Sequence, residues 1–172
     1  MEFEYASSRA SEPFRYRLAA LILAPVFALV LQAYLPLYFS SASLLNLPLL
    51  VVLCFALASR DPVVGLMMGA LVGVAQDSLS RDAIGLFAIP NTIIGYVASF
   101  FSGFVDTENM SIRLISIFSL YWLHLVLFSF VEFTLPVAAL EIPILRTFLA
   151  TLVNALIGVL LFEVLDRFRK PA

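Results

Sequence analysis

The sequence has few charged residues and almost no cysteine or histidine. Charged side chains make up 13% of the 172 residues, against about 25% in an ordinary soluble domain. Cys54 is the single cysteine, so an intrachain disulfide is excluded, and one histidine cannot form a zinc-type cluster. The sequence also lacks HExxH, P-loop, GxGxxG and Ser-His-Asp patterns. These absences argue against an enzyme and against a bound metal or cofactor.

Long apolar runs dominate what is present. Hydrophobic residues make up 62% of the chain, and the mean hydropathy is +1.03. A membrane-spanning helix needs roughly 20 apolar residues. Six runs are candidates, and the connections between them are short: 18–37, 43–58, 62–79, 85–105, 112–135 and 144–165. The sequence therefore predicts an all-α protein, a single six-transmembrane-helix bundle.

The basic residues predict the orientation of this bundle. An even number of spans places both termini on one side of the membrane, and eight of the ten basic residues would lie there: Arg9, Arg15, Arg17, Arg60, Arg113, Arg167, Arg169 and Lys170. Only Arg81 and Arg146 would lie on the other side. Basic residues concentrate on the cytoplasmic side. We therefore expect a cytoplasmic N-terminal segment (1–17) and a cytoplasmic tail (166–172) in the inner membrane of a bacterium.

Small and polar residues form stripes on three of the predicted helices. Residues four apart share a helix face, and glycines there let another helix approach closely. The stripes are Gly65, Gly69 and Gly73 on the third helix, Asn91, Gly95, Ser99 and Gly103 on the fourth, and Thr147, Thr151, Asn154 and Gly158 on the sixth. They predict tight packing and an interior made by these three helices, although a glycine face can also receive a partner helix.

Ionisable residues near the helix ends allow two interpretations. Asp77 either caps a helix or pairs with Arg81, or else it lines an outward-facing polar pocket with Asn91 and Glu132. His124 is interpreted as an interior or water-facing side chain, because no acidic residue lies one turn away. Glu163 and Asp166 are expected to form ion pairs with Arg167 and Arg169 near the membrane surface.

The stretch 65–96 carries a recognisable pattern. The glycines Gly65, Gly69 and Gly73 precede Gln76-Asp77, and Gly85-Leu86, Thr92 and Gly95-Tyr96 follow. This pattern resembles the MreD family of rod shape-determining membrane proteins. Arg81 and Asp82 stand where that family often has small residues. The resemblance implies that Gly69, Gly73, Asp77, Gly85 and Gly95 are core residues of the family type.

The resemblance also implies a function and partners. Proteins of this family are non-enzymatic members of the complex that elongates the bacterial cell wall. The implied partners are an MreC-like bitopic membrane protein, a RodA-type glycosyltransferase, a class B penicillin-binding transpeptidase and, indirectly, an MreB-type actin homologue. No nucleic-acid partner is expected. The implied fold resembles the six-helix substrate-binding subunit of energy-coupling-factor transporters.

Two other functions stay open from the sequence alone. The first is a vitamin- or small-molecule-binding transporter subunit, which would need a pocket lined with aromatic residues. The second is a membrane enzyme or small exporter, for which Asp77 and His124 are the only candidate reactive pair.

Overall fold

The computed structural model describes residues 18–39, 44–80, 83–107, 109–135 and 144–167, and these stretches contain six α-helices and no strand. The helices are α1 (Leu18–Tyr38), α2 (Leu47–Ser59), α3 (Pro62–Ser80), α4 (Ala88–Ser102), α5 (Met110–Thr134) and α6 (Ile144–Asp166). Four of them, α1, α3, α5 and α6, are long and apolar enough to cross a membrane. The prediction of an all-α membrane helix bundle is confirmed. The predictions for Arg81, Asp82, the N-terminal segment and residues 168–172 lie outside the described residues.

Two helices are shorter than their apolar runs. The second helix has 13 residues and the fourth has 15. At 1.5 Å per residue, α2 is about 20 Å long, which is less than the hydrocarbon thickness of about 30 Å. Asn46 caps the start of α2 by accepting a hydrogen bond from the backbone N–H of Leu49, and Arg60 ends it in a left-handed conformation with φ 54°.

The short helix α2 is the centre of the bundle. Every residue from Pro48 to Ala58 is buried, and α2 contacts all five other helices. The third, fourth and sixth helices therefore do not make the interior by themselves, because α2 lies at its centre and α6 packs mainly on α2 and α5. A helix that is apolar on all sides is suited to full burial, but it has no stripe by which the sequence could reveal this position.

Glycines bring α3 and α4 closer together than any other pair of helices. A Cβ atom on Gly69 would overlap the backbone carbonyl of Asn91, and one on Gly65 or Gly95 would overlap the backbone of the other glycine. At Gly73 a Cβ would lie 2.5 Å from the Cα of Ala88. Only glycine permits this approach, so the structure places these four glycines where the stripes predicted tight packing.

The remaining two glycines of the stripes differ from each other. Gly158 lies where α6 meets α2 and α5, and a Cβ there would be 3.1 Å from Ile117 and 3.3 Å from Leu50. Gly103 follows the last residue of α4 and is exposed. A Cβ on it would meet only the carbonyl oxygen of Phe100, at 3.5 Å. The packing role predicted for Gly103 is therefore wrong, because α4 ends one residue earlier.

Candidate helix-docking groove and polar layer

Asp77 caps the beginning of α4 from the end of α3. Its Oδ2 accepts hydrogen bonds from the backbone N–H groups of Gly85 (2.8 Å) and Ala88 (3.1 Å), and its Oδ1 accepts one from Phe87 (2.8 Å). The side chain is buried, and no side chain of α4 itself caps this terminus. A carboxylate at a helix N-terminus satisfies unpaired N–H groups and interacts favourably with the helix dipole. Of the two sequence interpretations, the geometry supports the cap.

The three residues of the predicted outer pocket do not form one connected group. Asn91 is fully buried beside the α3–α4 contact, whereas Glu132 is half-buried on α5. Among the described residues, no hydrogen bond joins Glu132 to Asp77 or Asn91. A ligand pocket lined by all three therefore stays a prediction.

A layer of five carboxamide side chains crosses the bundle near the start of α2. The side chains come from α1, α3, α4 and α6 and from the cap of α2: Gln32, Asn46, Gln76, Asn91 and Asn154. We call these five residues the polar layer. The sequence stripes identified Asn91 and Asn154 but missed Gln32 and Asn46, because a single polar residue in an apolar run has no periodicity.

Hydrogen bonds connect the polar layer into a chain. Asn91 Nδ2 donates to Gln76 Oε1 (3.3 Å), and Gln76 Nε2 donates to Asn46 Oδ1 (3.4 Å). The backbone N–H of Asn46 donates to Asn154 Oδ1 (2.9 Å), and Asn154 Nδ2 donates to the carbonyl of Leu44 (2.8 Å). Buried amides are costly unless they are paired. The layer therefore fixes how α3, α4 and α6 sit around the start of α2.

Gln32 connects α1 to the backbone at the start of α2. Its Nε2 donates to the carbonyl of Leu45 (2.9 Å), and its Oε1 accepts from the backbone N–H of Leu47 (3.1 Å). In the hydrocarbon region of a bilayer, unpaired backbone groups have no water with which to form hydrogen bonds. The amides of Gln32 and Asn154 thus form hydrogen bonds with the backbone N–H and C=O groups of the irregular segment that leads into the short central helix.

An ion pair between the buried Arg113 and the half-buried Asp166 lies at the opposite end of the bundle. Arg113 Nη2 lies 3.2 Å from Asp166 Oδ2, and its Nε donates to the carbonyl of Thr107 (3.0 Å). The guanidinium carbon lies 3.8 Å from the centre of the Phe162 ring. The sequence had paired Asp166 with neighbouring arginines of the tail. The structure links Asp166 to Arg113 on α5, so the ion pair ties two helices together. Arg169 lies outside the described residues.

A groove opens sideways between α1 and α6 and reaches the central helix. Its volume is about 530 Å³. The lining is almost entirely apolar: Ala19, Ala20, Leu23, Ala24, Phe27, Ala28, Leu31, Leu47, Val51, Leu161, Val164 and Leu165. We call it the lateral groove. Leu23 and Phe27 are each 65% exposed on its edge, while Ala20, Ala24 and Ala28 recur every fourth residue along its wall.

The geometry can be compared with known protein families. The family described as rod shape-determining protein MreD matches residues 13–168 of the chain. The chain belongs to the MreD family. The match takes in all six helices, so the resemblance that the stretch 65–96 suggested extends over nearly the whole protein.

No curated protein and no solved structure matches the chain significantly. The likeness to the substrate-binding subunits of energy-coupling-factor transporters therefore stays a prediction. Membership of the MreD family makes this a protein of the rod shape-determining system, and its apolar helices make it a membrane protein. Within this MreD protein, Gly69, Gly73 and Gly95 form the α3–α4 contact. Asp77 and Gly85 form the cap of α4.

Proposed function

We propose that this MreD protein is a non-enzymatic scaffold of the cell-wall elongation complex and that the lateral groove holds the transmembrane helix of an MreC-like partner. The observation that carries the proposal is an apolar groove of about 530 Å³ on a protein whose described residues are almost all helix. Such a protein has helix faces and short loops as its means of contact with other proteins.

The shape and lining of the lateral groove suit a single helix. Association of helices in lipid depends on close van der Waals contact, which small residues allow. Ala20, Ala24 and Ala28 supply such a surface on α1, and the exposed Leu23 and Phe27 flank it. A helix lying there would also reach Val51 of the central helix. A docked helix would therefore contact the core of the bundle directly.

The scaffold would act by favouring one conformation of its partners. A binding protein shifts an equilibrium only when it prefers one state over the other. We propose that the docked MreC-like protein, together with this chain, biases a RodA-type glycosyltransferase and a class B penicillin-binding transpeptidase toward their active state. An MreB-type protein would be linked indirectly, through MreC.

The proposed location is the cytoplasmic membrane of a bacterium, with both termini in the cytoplasm. The support is the excess of basic residues on that side. The Arg113–Asp166 pair lies at the same end of the bundle. A charged pair is less costly near the membrane surface than at its centre.

Site-specific photo-crosslinking in cells tests the docking. A photoreactive phenylalanine analogue is placed at Leu23, which lines the lateral groove, and separately at Ile22, which does not. The two positions are matched, because Leu23 is 65% exposed and Ile22 is 62% exposed. We expect a crosslink to the MreC-like protein from position 23 and little from position 22. Equal crosslinking from both positions, or none from position 23, would refute this docking site.

A further inference from the structure

Asn91 on α4 and His124 on α5 are buried and have unpaired polar atoms. Asn91 is fully buried and His124 is 2% exposed. Within the part of the chain that the structure describes, Asn91 Oδ1 and both ring nitrogens of His124 have no hydrogen-bond partner. The amide of Asn91 uses only its Nδ2, which donates to Gln76. Buried polar groups are nearly always paired with protein or with ordered water, so these two residues need an explanation.

The register of the helices places these two residues at the same level. Helices α4 and α5 follow each other along the chain, pack together and run antiparallel. The rings of Phe87 and Phe128 are in contact, with centroids 5.1 Å apart. One turn further along α4 is Asn91, and one turn back along α5 is His124. Since both steps move in the same direction along the bundle, Asn91 and His124 lie at the same level of two helices that pack together.

Aromatic rings enclose the imidazole of His124. The ring of Phe128 stacks on it with centroids 6.1 Å apart, and the ring of Tyr121 lies 6.2 Å away on the other side. Neither ring supplies a hydrogen bond to the imidazole. A neutral imidazole has one N–H donor and one acceptor nitrogen. At this level of the bundle, His124 therefore offers a donor and an acceptor, and Asn91 offers an acceptor.

A small pocket borders the polar layer. It has a volume of about 190 Å³, and Gln32, Gln76 and Phe87 contribute to its lining. Gln76 is the direct hydrogen-bond partner of Asn91, so this pocket lies one side chain away from Asn91. A buried water molecule needs two to four hydrogen-bond partners and a cavity about the size of the molecule.

We infer that a buried water molecule bridges Asn91 Oδ1 and the imidazole of His124 and continues the hydrogen-bond chain of the polar layer onto α5. The water donates one hydrogen to Asn91 Oδ1. It accepts the imidazole N–H, or donates its other hydrogen to the unprotonated ring nitrogen. With this molecule in place, polar contacts join α1, α3, α4, α5 and α6 around the beginning of α2.

Solid-state NMR on the full chain in lipid bilayers tests the inference. His124 is the single histidine of the sequence, so labelled histidine and a histidine-free purification tag give one set of ring signals. Magnetisation is transferred from water protons to these signals and to the methyl groups of Ile117, a fully buried residue of the same helix. We expect the transfer to the His124 ring to build up several-fold faster than the transfer to Ile117.

Two variants extend the measurement. Asn91→Leu removes the acceptor and is expected to lower the transfer to the ring several-fold, whereas Ser119→Ala on an exposed position of α5 leaves it unchanged. Transfer to the wild-type ring that is no faster than to Ile117 overturns the inference, and this comparison needs no variant. Transfer that is unchanged in Asn91→Leu overturns the bridge to Asn91.

Discussion

Asp77 on α3 accepts the backbone N–H of Gly85, with 2.8 Å between Oδ2 and the nitrogen. Gly85 has φ +107°, a conformation that L side chains rarely adopt. The turn before α4 therefore depends on two residues together, because the glycine permits the conformation and the carboxylate fixes it. The same carboxylate caps α4, so the cap and the glycine contact of α3 with α4 support each other.

The first prediction concerns the charge of Asp77. In Asp77→Asn the side chain keeps its size, but only one oxygen remains to accept the three backbone N–H groups. Loss of a helix cap costs about 0.5–2 kcal/mol, and hydrogen bonds to a charged group contribute about 1.5–3 kcal/mol each. We expect the variant to unfold about 2 kcal/mol more easily, measured by thermal unfolding in detergent micelles.

The neighbouring residue supplies the control for Asp77. Ser78 is exposed, and its hydroxyl donates only to the carbonyl of Val74 in its own helix. Ser78→Ala should therefore leave the unfolding temperature almost unchanged. An Asp77→Asn protein as stable as wild type would show that the cap contributes little to the fold.

The second prediction compares two glycines with the same substitution. Gly69→Ala places a methyl group against the backbone carbonyl of Asn91, whereas Gly103→Ala places one at an exposed position beyond α4. Overpacking costs about 1–3 kcal/mol and more where the neighbour is backbone. We expect Gly69→Ala to destabilise the protein by at least that amount and Gly103→Ala to be nearly neutral in the same unfolding assay. Equal effects would contradict the close α3–α4 contact.

The third prediction is a coupling between Arg113 and Asp166. Each is replaced by a neutral side chain, Arg113→Met and Asp166→Asn, singly and together, and the free energies of unfolding form a double-mutant cycle. Contacting charged pairs give interaction energies of about 0.5–3 kcal/mol, and we expect a value in the upper half of that range because Arg113 is buried. The control combines Arg113→Met with Glu163→Gln, which changes an exposed acid on α6, the helix of Asp166. These two substitutions should show additive effects.

The fourth prediction tests the polar layer at Asn154. Asn154→Leu removes the hydrogen bonds to the backbone of Leu44 and Asn46 and leaves two half-buried backbone groups unpaired in a membrane bundle. Each unpaired buried group costs about 1–3 kcal/mol. We expect a loss of at least 2 kcal/mol in unfolding free energy, for the same reason. Val153→Leu, at a half-exposed position of the same helix, is the control and should stay near the wild-type value.

Part of the fold could be predicted from the sequence, because membrane helices leave a strong signal. Apolar runs of sufficient length located all six helices, and the four-residue spacing of Gly65, Gly69 and Gly73 indicated the face of α3 that packs most closely. A cap by Asp77 was one of the two interpretations of the sequence, because a carboxylate in a membrane segment is costly unless it is hydrogen-bonded or paired with a positive charge.

The central position of α2 could not be predicted. Its residues are apolar on every side, so no stripe distinguishes a core face from a lipid face. The Arg113–Asp166 pair was also missed, because the partners are distant in sequence and arginines of the tail stand closer to Asp166. Aromatic side chains are found in both environments, since Phe100 and Phe104 are exposed whereas Phe55 and Phe162 are buried.

Cell shape after depletion of this MreD protein in its native host tests the central claim most directly. The depleted cells are rescued with wild type, with Leu23→Trp, which fills the lateral groove, or with Ile22→Trp, which adds the same ring outside it. The account predicts that depleted rods swell toward spheres and that wild type and Ile22→Trp restore rods while Leu23→Trp does not, at equal amounts of protein in the membrane. Rods that keep their shape after depletion would contradict the role in elongation, and full rescue by Leu23→Trp would contradict docking in the lateral groove.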